Sequence, residues 1–264
     1  MLPVRSEVEA LNTLIRAIAD FGQDRANVGM LHEQRINGLV KKMPANSDER
    51  IIAELITSLF YRKFDEGKEW LAKAQEINPA DSIVRLNIAS AMTEAFQPSQ
   101  ALKYIRESLP REKDSITFLY GAFEILSQNG AFQLANDVAQ SLEKLGMASP
   151  EHRDRTKFMA MRMDVFGISD EQVVDYLEKA LAPIKQYLDG KERIRCVITT
   201  EFTSYSQPET LVIVAHIATN DDDVFEISEA VAEHLAEFDF SKEVDEHIVF
   251  SVTGVDEEYL KHAS

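Results

Sequence analysis

The sequence predicts an α+β protein in which an all-α stack of antiparallel helix pairs is followed by a small ββαβ domain. Apolar residues recur at intervals of three and four from residue 6 to about residue 188, which is the spacing of one helix face. After Asp189-Gly190 the interval changes to two, the period of a strand. These two observations predict a helical domain over residues 1–188 and a second domain over residues 190–264.

The composition is that of a folded chain with a large excess of acidic residues. The chain has 264 residues, of which 45% are hydrophobic, so it has enough apolar material for a buried core. Its 45 acidic and 28 basic residues give a formal net charge of −17. Such a charge disfavours direct binding to nucleic acid and to anionic membranes. Residues 190–264 contain 17 of the acidic and only 5 of the basic residues, so the acidity belongs chiefly to the second domain.

Cysteine content and apolar run lengths predict a cytoplasmic protein. One cysteine cannot form an internal disulfide framework. Charged residues interrupt the first 21 residues, which is unlike a signal peptide. The longest apolar run, Leu211 to Ala215, is far shorter than the roughly 20 residues needed to span a bilayer.

Three stretches of the helical region share one pattern with a period of 34 residues. In each stretch a small residue is followed four positions later by an apolar residue. The small residues are Gly67, Ala101 and Ala135, and the apolar residues are Leu71, Ile105 and Ala139. The small residue lets two paired helices approach closely, and the apolar residue packs on the same helix face. The pattern predicts repeats over residues 48–81, 82–115 and 116–149.

Further helix pairs are expected on both sides of the repeats. Residues 6–24 and 27–42 predict one pair, and residues 153–165 and 170–188 predict another. Ser169 followed by Gln172 is a capping-box pattern, which marks the start of the last helix. Atypical terminal pairs are what a stack of repeats needs to cover its ends.

The stretch from Lys63 to Gly67, continued by Ala74 and the closing Asn78-Pro79, resembles the second half of a tetratricopeptide repeat. Gly67 stands where that family usually has alanine, and Pro98 stands where it has an aromatic residue. The resemblance implies a superhelix of helix hairpins. It also implies that the first helix of each pair lines a concave groove in which peptides or partner helices bind.

The resemblance places nine partner-binding candidates in that groove. They are Ile52, Ile56 and Phe60 in the first repeat, Leu86, Ser90 and Thr93 in the second, and Thr117, Tyr120 and Glu124 in the third. None is the lysine, arginine or asparagine with which such repeats clamp a C-terminal carboxylate. The apolar-to-acidic gradient indicates an amphipathic or basic-flanked partner segment. An alternative stays open for Ile52 and Ile56, which would be core residues if the N-terminal helix pair covers them.

The second domain is predicted from three strand patterns and one helix. Residues 194–202 alternate and place Cys196 on the inward face, while residues 211–219 indicate a more buried strand that pairs antiparallel with the first. Asn220 and the acidic residues after it begin a helix. Residues 247–255 predict the third strand. The apolar stripe of the helix is Val224, Ile227, Val231, Leu235 and Phe238.

The sequence contains no spacing typical of a catalytic or cofactor-binding motif. His32-Glu33 lacks the second histidine of a zinc-protease helix. Cys196 is expected to be an inert buried thiol, and residues 221–223 are expected to stabilise a helix N-terminus rather than to bind metal. His216 and His247 lie in neighbouring predicted strands and could form a pH-sensitive pair. The sequence therefore predicts a protein that is not an enzyme and binds no cofactor or metal.

Two functions are consistent with these features. The first is a protein–protein interaction scaffold, adaptor or chaperone that binds a peptide or amphipathic helix in the repeat groove, either as a monomer or as a homodimer. The second is an acidic inhibitor that imitates nucleic acid to block a nucleic-acid-binding protein. Its acidic face would be Glu226, Glu229, Glu233 and Glu237, which share one helix side. A solvated helix face explains the same spacing.

Overall fold

A computed structural model describes residues 10–18, 30–77, 81–147, 150–191, 194–203 and 209–256. Its helical part contains α1 (residues 10–18), α2 (Met30–Lys41), α3 (Asp48–Phe60), α4 (Phe64–Ile77), α5 (Ser82–Glu94), α6 (Pro98–Ser108), α7 (Ile116–Gln128), α8 (Phe132–Lys144), α9 (Pro150–Phe166) and α10 (Asp170–Leu188). The remainder contains β1 (Cys196–Thr203), β2 (Thr210–Ile217), α11 (Asp221–Leu235), α12 (Lys242–His247) and β3 (Ile248–Gly254). The predicted closing Asn78-Pro79 and the predicted turn at residues 204–208 lie outside the described residues.

The helical repeat is confirmed by three consecutive helix hairpins. Helices α3, α5 and α7 begin at Asp48, Ser82 and Ile116, the three predicted repeat starts. Each packs against the helix that follows it, and α3 packs against α5 as α5 packs against α7. The residue before each start accepts a backbone N–H bond through its side chain, as helix N-caps do.

The small residues with the 34-residue spacing lie where two helices of a hairpin meet. Gly67, Ala101 and Ala135 are all buried. A Cβ atom added to Gly67 would lie 2.6 Å from Cδ2 of Leu59, a residue of the preceding helix. A larger side chain would therefore separate the two helices, which confirms that the small residue permits close approach.

The turn inside each hairpin has one residue in the left-handed region. These residues are Arg62 (φ 54°), Phe96 (φ 57°) and Gly130 (φ 77°), at equivalent positions in the three hairpins. Arg62 and Phe96 carry side chains, for which this backbone conformation costs about 1–2 kcal/mol. Both side chains are buried, so contacts made by the rest of the chain hold the turns in this shape.

Helix α10 does not form the predicted final hairpin with its predecessor. The capping box at Ser169 and Gln172 is present, so the predicted start of α10 is confirmed. Helix α9 packs along α8, whereas α10 packs mainly against α6, α8 and α11. It crosses the inner turns of the three hairpins instead of continuing the stack.

Three carboxylates in and beside α10 accept hydrogen bonds from the starts of three other helices. Asp170 accepts the backbone N–H groups of Gln133 and Leu134 in α8, each at 2.9 Å. Glu178 accepts the N–H of Ser99 in α6 at 3.3 Å. Asp189, at the end of α10, accepts the N–H of Phe64 in α4 at 3.4 Å.

These bonds supply what the second helix of each hairpin lacks. The first N–H groups of a helix have no partner inside it and need an external acceptor. Among the described residues, the N-cap residues Gln97 of α6 and Ala131 of α8 make no side-chain capping bond. At about 1.5 Å per residue, the 19 steps from Asp170 to Asp189 extend about 28 Å, which brings one carboxylate to each hairpin.

The C-terminal end of α10 is fixed to the first hairpin by further contacts. Arg62 Nη1 donates to the carbonyl oxygen of Lys191 at 2.9 Å, and Gly190 N donates to the carbonyl oxygen of Arg62 at 3.1 Å. Lys185 Nζ lies 5.0 Å from the centre of the Phe64 ring. The left-handed turn of the first hairpin is thereby bound to the segment that leads into the sheet.

The three-stranded sheet has the order β1-β2-β3. Strands β1 and β2 are antiparallel, with Cys196 opposite Ile217, and β2 is parallel to β3 through the crossover helix α11. The predicted ββαβ order and hairpin are confirmed. The short helix α12, which Ser241 caps, is an addition that the sequence did not predict. The inner face of β2 is fully buried and consists of Leu211, Ile213, Ala215 and Ile217.

The predicted stripe of α11 is correct at its centre. Ile227 and Val231 are buried, while Val224 and Leu235 are half-buried. The helix ends at Leu235, so Phe238 lies beyond it and packs with Phe240, at 6.1 Å between ring centres.

Aromatic and polar contacts join the sheet to the helices. Phe202 of β1 makes an edge contact with Phe158 of α9, at 5.8 Å between ring centres. Asp223 accepts hydrogen bonds from Tyr187 of α10 at 2.7 Å and from Thr219 at 2.6 Å, and these bonds lower the pKa of the Asp223 carboxyl. Buried residues from both regions form one continuous apolar cluster, and the division at residues 188 and 190 stays a prediction. In the described part of the chain, each helix is too short or too polar to span a bilayer.

Replacing Gly130 with alanine should destabilise the protein more than the same change at Gly146. Both glycines are left-handed, but a Cβ atom at Gly130 would lie 2.7 Å from Cγ1 of Val173 in α10, whereas nothing lies within 4 Å at Gly146. We expect urea denaturation to give a loss of about 1 kcal/mol for Gly146→Ala and about 1–3 kcal/mol more for Gly130→Ala. Equal losses would show that α10 does not press on this turn.

Replacing Asp170 with alanine should lower the free energy of unfolding by about 1–3 kcal/mol, because two N–H groups of α8 lose their acceptor. Asp175→Ala is the matched control, since Asp175 is exposed on the same helix and pairs with Lys179. The control should change stability by less than about 1 kcal/mol. Chemical denaturation measures both, and a neutral Asp170→Ala would contradict the capping role.

Candidate functional site

A cleft of about 390 Å³ lies between the helical repeat and the edge of the sheet. Its volume is within the range of about 300–1,000 Å³ that is usual for binding sites. One wall comes from the C-terminal ends of α5 and α7, and the other comes from α9 and β1. The cleft is therefore formed by residues far apart in the sequence.

Equivalent positions of two repeats form the helix wall. Thr93 and Glu94 of α5 correspond to Ser127 and Gln128 of α7, 34 residues later, and all four line the cleft with Glu124. Asn129 joins the two helices, because its Nδ2 donates to Thr93 Oγ1 at 2.7 Å and to the Ile125 carbonyl oxygen at 2.6 Å. This wall is a rigid and mainly polar surface.

The opposite wall contains arginine side chains and a strand edge. Arg155, Thr156 and Met159 of α9 line it together with the segment from Arg195 to Thr200. Arg155 Nη2 donates to the carbonyl oxygen of Thr200 at 3.2 Å, which fixes α9 beside β1. Strand β1 is at the end of the sheet order, so its outer edge is turned toward this wall.

The cleft offers both signs of charge and backbone hydrogen-bonding groups. Glu94 and Glu124 lie on the helix wall, and Arg155 and Arg195 lie on the other. Cys196 also lines it and is half-buried, less covered than the fully buried thiol expected from the sequence. Among the described lining residues there is no histidine to act as the base that a serine or cysteine nucleophile commonly needs. This arrangement is suited to binding.

The nine groove candidates separate into three groups. Ile52, Ile56 and Phe60 are buried in the apolar core, so they cannot contact a partner in this structure, and the core alternative is the correct one for Ile52 and Ile56. The reason is that they pack within the cluster that also includes Leu14 and Ile36 of α1 and α2.

The other candidates come from the second and third repeats. Leu86 is half-buried against Gly121, where an added Cβ atom would lie 2.5 Å from Cδ2 of Leu86. Tyr120 is half-buried and its hydroxyl donates to the Met147 carbonyl oxygen. Ser90 and Thr117 are exposed but do not line the cleft. Thr93 and Glu124 line it.

Sequence reasoning missed the second wall. Arg155 and the β1 segment reach the cleft only because α10 carries the chain back across the repeats, and no local pattern encodes that return. The 34-residue relation between Thr93 and Ser127 was available and does identify the helix wall.

The acidic face is accessible in the structure. Glu226, Glu229 and Glu233 lie on α11, Glu237 lies in the turn after it, and all four are exposed. His234 Nδ1 lies 3.4 Å from a carboxylate oxygen of Glu237. Asp221, Asp222 and Asp223 occupy the first turn of α11, as predicted, and the described residues contain no group of three or more side chains that could hold a metal ion.

His216 and His247 do not form a pair. His216 is on the outer face of the sheet, where Nε2 lies 2.9 Å from Thr199 Oγ1 and Nδ1 lies 2.9 Å from Thr253 Oγ1. His247 is at the other end of the sheet, stacked 4.0 Å from the Phe166 ring. The register explains the separation, because β3 runs from beside Leu211 to beside Ile217.

Comparison with known proteins finds no family model, no curated protein and no solved structure that matches this chain.

The unfolding free energy should fall as pH decreases from 7.5 to 5.5 through the contribution of His216. Burial lowers the pKa of His216, although Glu201 acts in the opposite direction. The unfolded chain therefore binds this proton more readily, and acid favours unfolding. Denaturation of the parent and of His216→Gln should show the parent losing stability relative to the variant as pH falls. A difference that is constant with pH would contradict the assignment.

Proposed function

We propose that this protein is a non-enzymatic interaction module that holds a segment of a partner protein in the cleft between the repeats and β1. The observation that carries the proposal is the meeting of equivalent repeat positions, Thr93 with Ser127 and Glu94 with Gln128, with an edge strand. The hairpin starts and small residues at 34-residue intervals support a tetratricopeptide-like repeat, a family in which first helices line a peptide groove.

The charges of the helix wall and of the whole chain favour a partner segment with basic residues. Glu94 and Glu124 lie on that wall, in a chain with a net charge of −17. Complementary charge accelerates encounter and selects among partners. An adaptor or chaperone role follows from holding such a segment, and the cytoplasmic location remains part of this proposal.

Capture experiments with the full chain test the cleft. Glu124→Lys reverses one charge inside it, and Glu69→Lys makes the same change at an exposed position of α4 outside it. We expect partners retained by the tagged parent and by Glu69→Lys to be lost with Glu124→Lys. Equal retention by both variants would place the partner surface elsewhere.

A second function is supported by the exposure of all four carboxylates of the acidic face. They could occupy the basic cleft of a nucleic-acid-binding protein. The variant Glu226→Gln, Glu229→Gln, Glu233→Gln, Glu237→Gln keeps the side-chain shapes and removes the charge. Salt-sensitive capture that this variant loses and Glu124→Lys retains would favour imitation of nucleic acid over the cleft.

A further inference from the structure

Strand β1 turns an alternate set of backbone groups away from the sheet. Ala218 N donates to the Arg195 carbonyl oxygen at 2.9 Å, so in this antiparallel register the odd-numbered residues of β1 bond to β2. The even-numbered residues then direct their N–H and C=O groups outward. The bond from Arg155 to the Thr200 carbonyl oxygen agrees with this assignment.

The outward groups open into the cleft over part of the strand. Cys196, Ile198 and Thr200 all line it. Arg155 binds the Thr200 oxygen and so marks one end of the open edge. Ile198, in the middle, is where one residue of an added strand could both donate and accept a backbone hydrogen bond.

The opposite edge of the same sheet is closed. Val255 N donates to the Ile217 carbonyl oxygen at 3.1 Å, so the odd-numbered residues of β3 face β2 and Phe250 faces outward. The backbone of Phe250 is hydrogen-bonded to Tyr176 of α10, and burial raises the pKa of that tyrosine to about 12. Proteins commonly cover sheet edges in this way to prevent unwanted pairing. The contrast makes the open edge of β1 a distinctive feature.

An exposed apolar stripe continues from the end of β1. Phe158, Met161 and Val165 of α9 are 41%, 49% and 67% exposed, and their spacing places them on one helix side. Phe158 touches Phe202, the last outward-facing residue of β1. A chain leaving the cleft past Phe202 would therefore meet apolar surface.

We propose that the cleft binds an extended segment of a partner protein as an added strand on the outer edge of β1, paired at Ile198, with apolar side chains on Phe158 and Met161. The inference rests on the proposed function and specifies its ligand as a strand. Main-chain bonds supply affinity and alternate side chains supply specificity in this mode. A helix has its backbone groups bonded internally and cannot use the edge.

The segment has a definite chemistry. Its apolar or β-branched residues alternate, because alternate side chains of a strand share one face. Basic residues flank them, since Glu94 and Glu124 line the cleft and the chain is strongly acidic.

The test uses the full chain and an array of nine-residue peptides with β-branched or aromatic residues at alternate positions and lysine at both ends. Binding is measured by fluorescence anisotropy. The tightest binder is then made in two N-methylated forms, one blocking each alternate set of backbone N–H groups. We expect one form to bind at least about tenfold more weakly, because it loses the bonds to β1, and the other to bind normally.

A pair of protein variants tests the same edge. Ile198→Pro removes the outward N–H without removing a bond to β2, and edge strands accept proline. Ile198→Val keeps the N–H and serves as the control. We expect only the proline variant to lose binding, again by at least about tenfold. If it unfolds, the N-methylated peptides decide the question alone.

The other outcomes overturn the inference in distinguishable ways. Peptide binding that Glu124→Lys abolishes but both N-methylated forms retain would leave the proposed function and remove strand addition. A homodimer that Ile198→Pro dissociates would make a second copy the occupant. Absence of binding across the array, together with no partner lost by Glu124→Lys in capture, would overturn both proposals.

Discussion

The architecture depends on one repeated interaction, a carboxylate of the α10 segment placed at the start of another helix. Asp170, Glu178 and Asp189 accept N–H groups from α8, α6 and α4. Each bond satisfies a donor that would otherwise lack an acceptor, and each places negative charge at the positive end of a helix dipole. The hairpins are therefore held at two levels, by packing between neighbours and by one helix that contacts all three.

The same helix determines where the sheet lies. Tyr187 near its C-terminal end binds Asp223, and Tyr176 in its middle covers the edge of β3. With that edge fixed against α10, the sheet presents the edge of β1 to the repeats, where Arg155 binds it. The cleft thus follows from the path of α10, and its two walls are positioned independently of any ligand.

Local patterns predicted local structure well in this chain. The starts at Asp48, Ser82 and Ile116, the capping box and the change from helix to strand all depend on residues within a few positions of one another. The path of α10 could not be predicted, because the acidic residues that cap other helices have the same spacing as ordinary exposed ones. Two of the three left-handed turns were also missed, because Arg62 and Phe96 occupy a position that glycine marks in the third hairpin alone. Long-range contacts decided both.

The length of α10 also limits how this protein could have grown. Stacked repeats usually lengthen by duplication, since each unit contacts only its neighbours. Here a duplicated 34-residue unit would add a helix with no carboxylate beside its start, unless α10 also gained about two or three turns, the interval that separates its present capping residues. The protein is built as a stack with a fixed number of units, and its size is recorded in a helix outside the repeats.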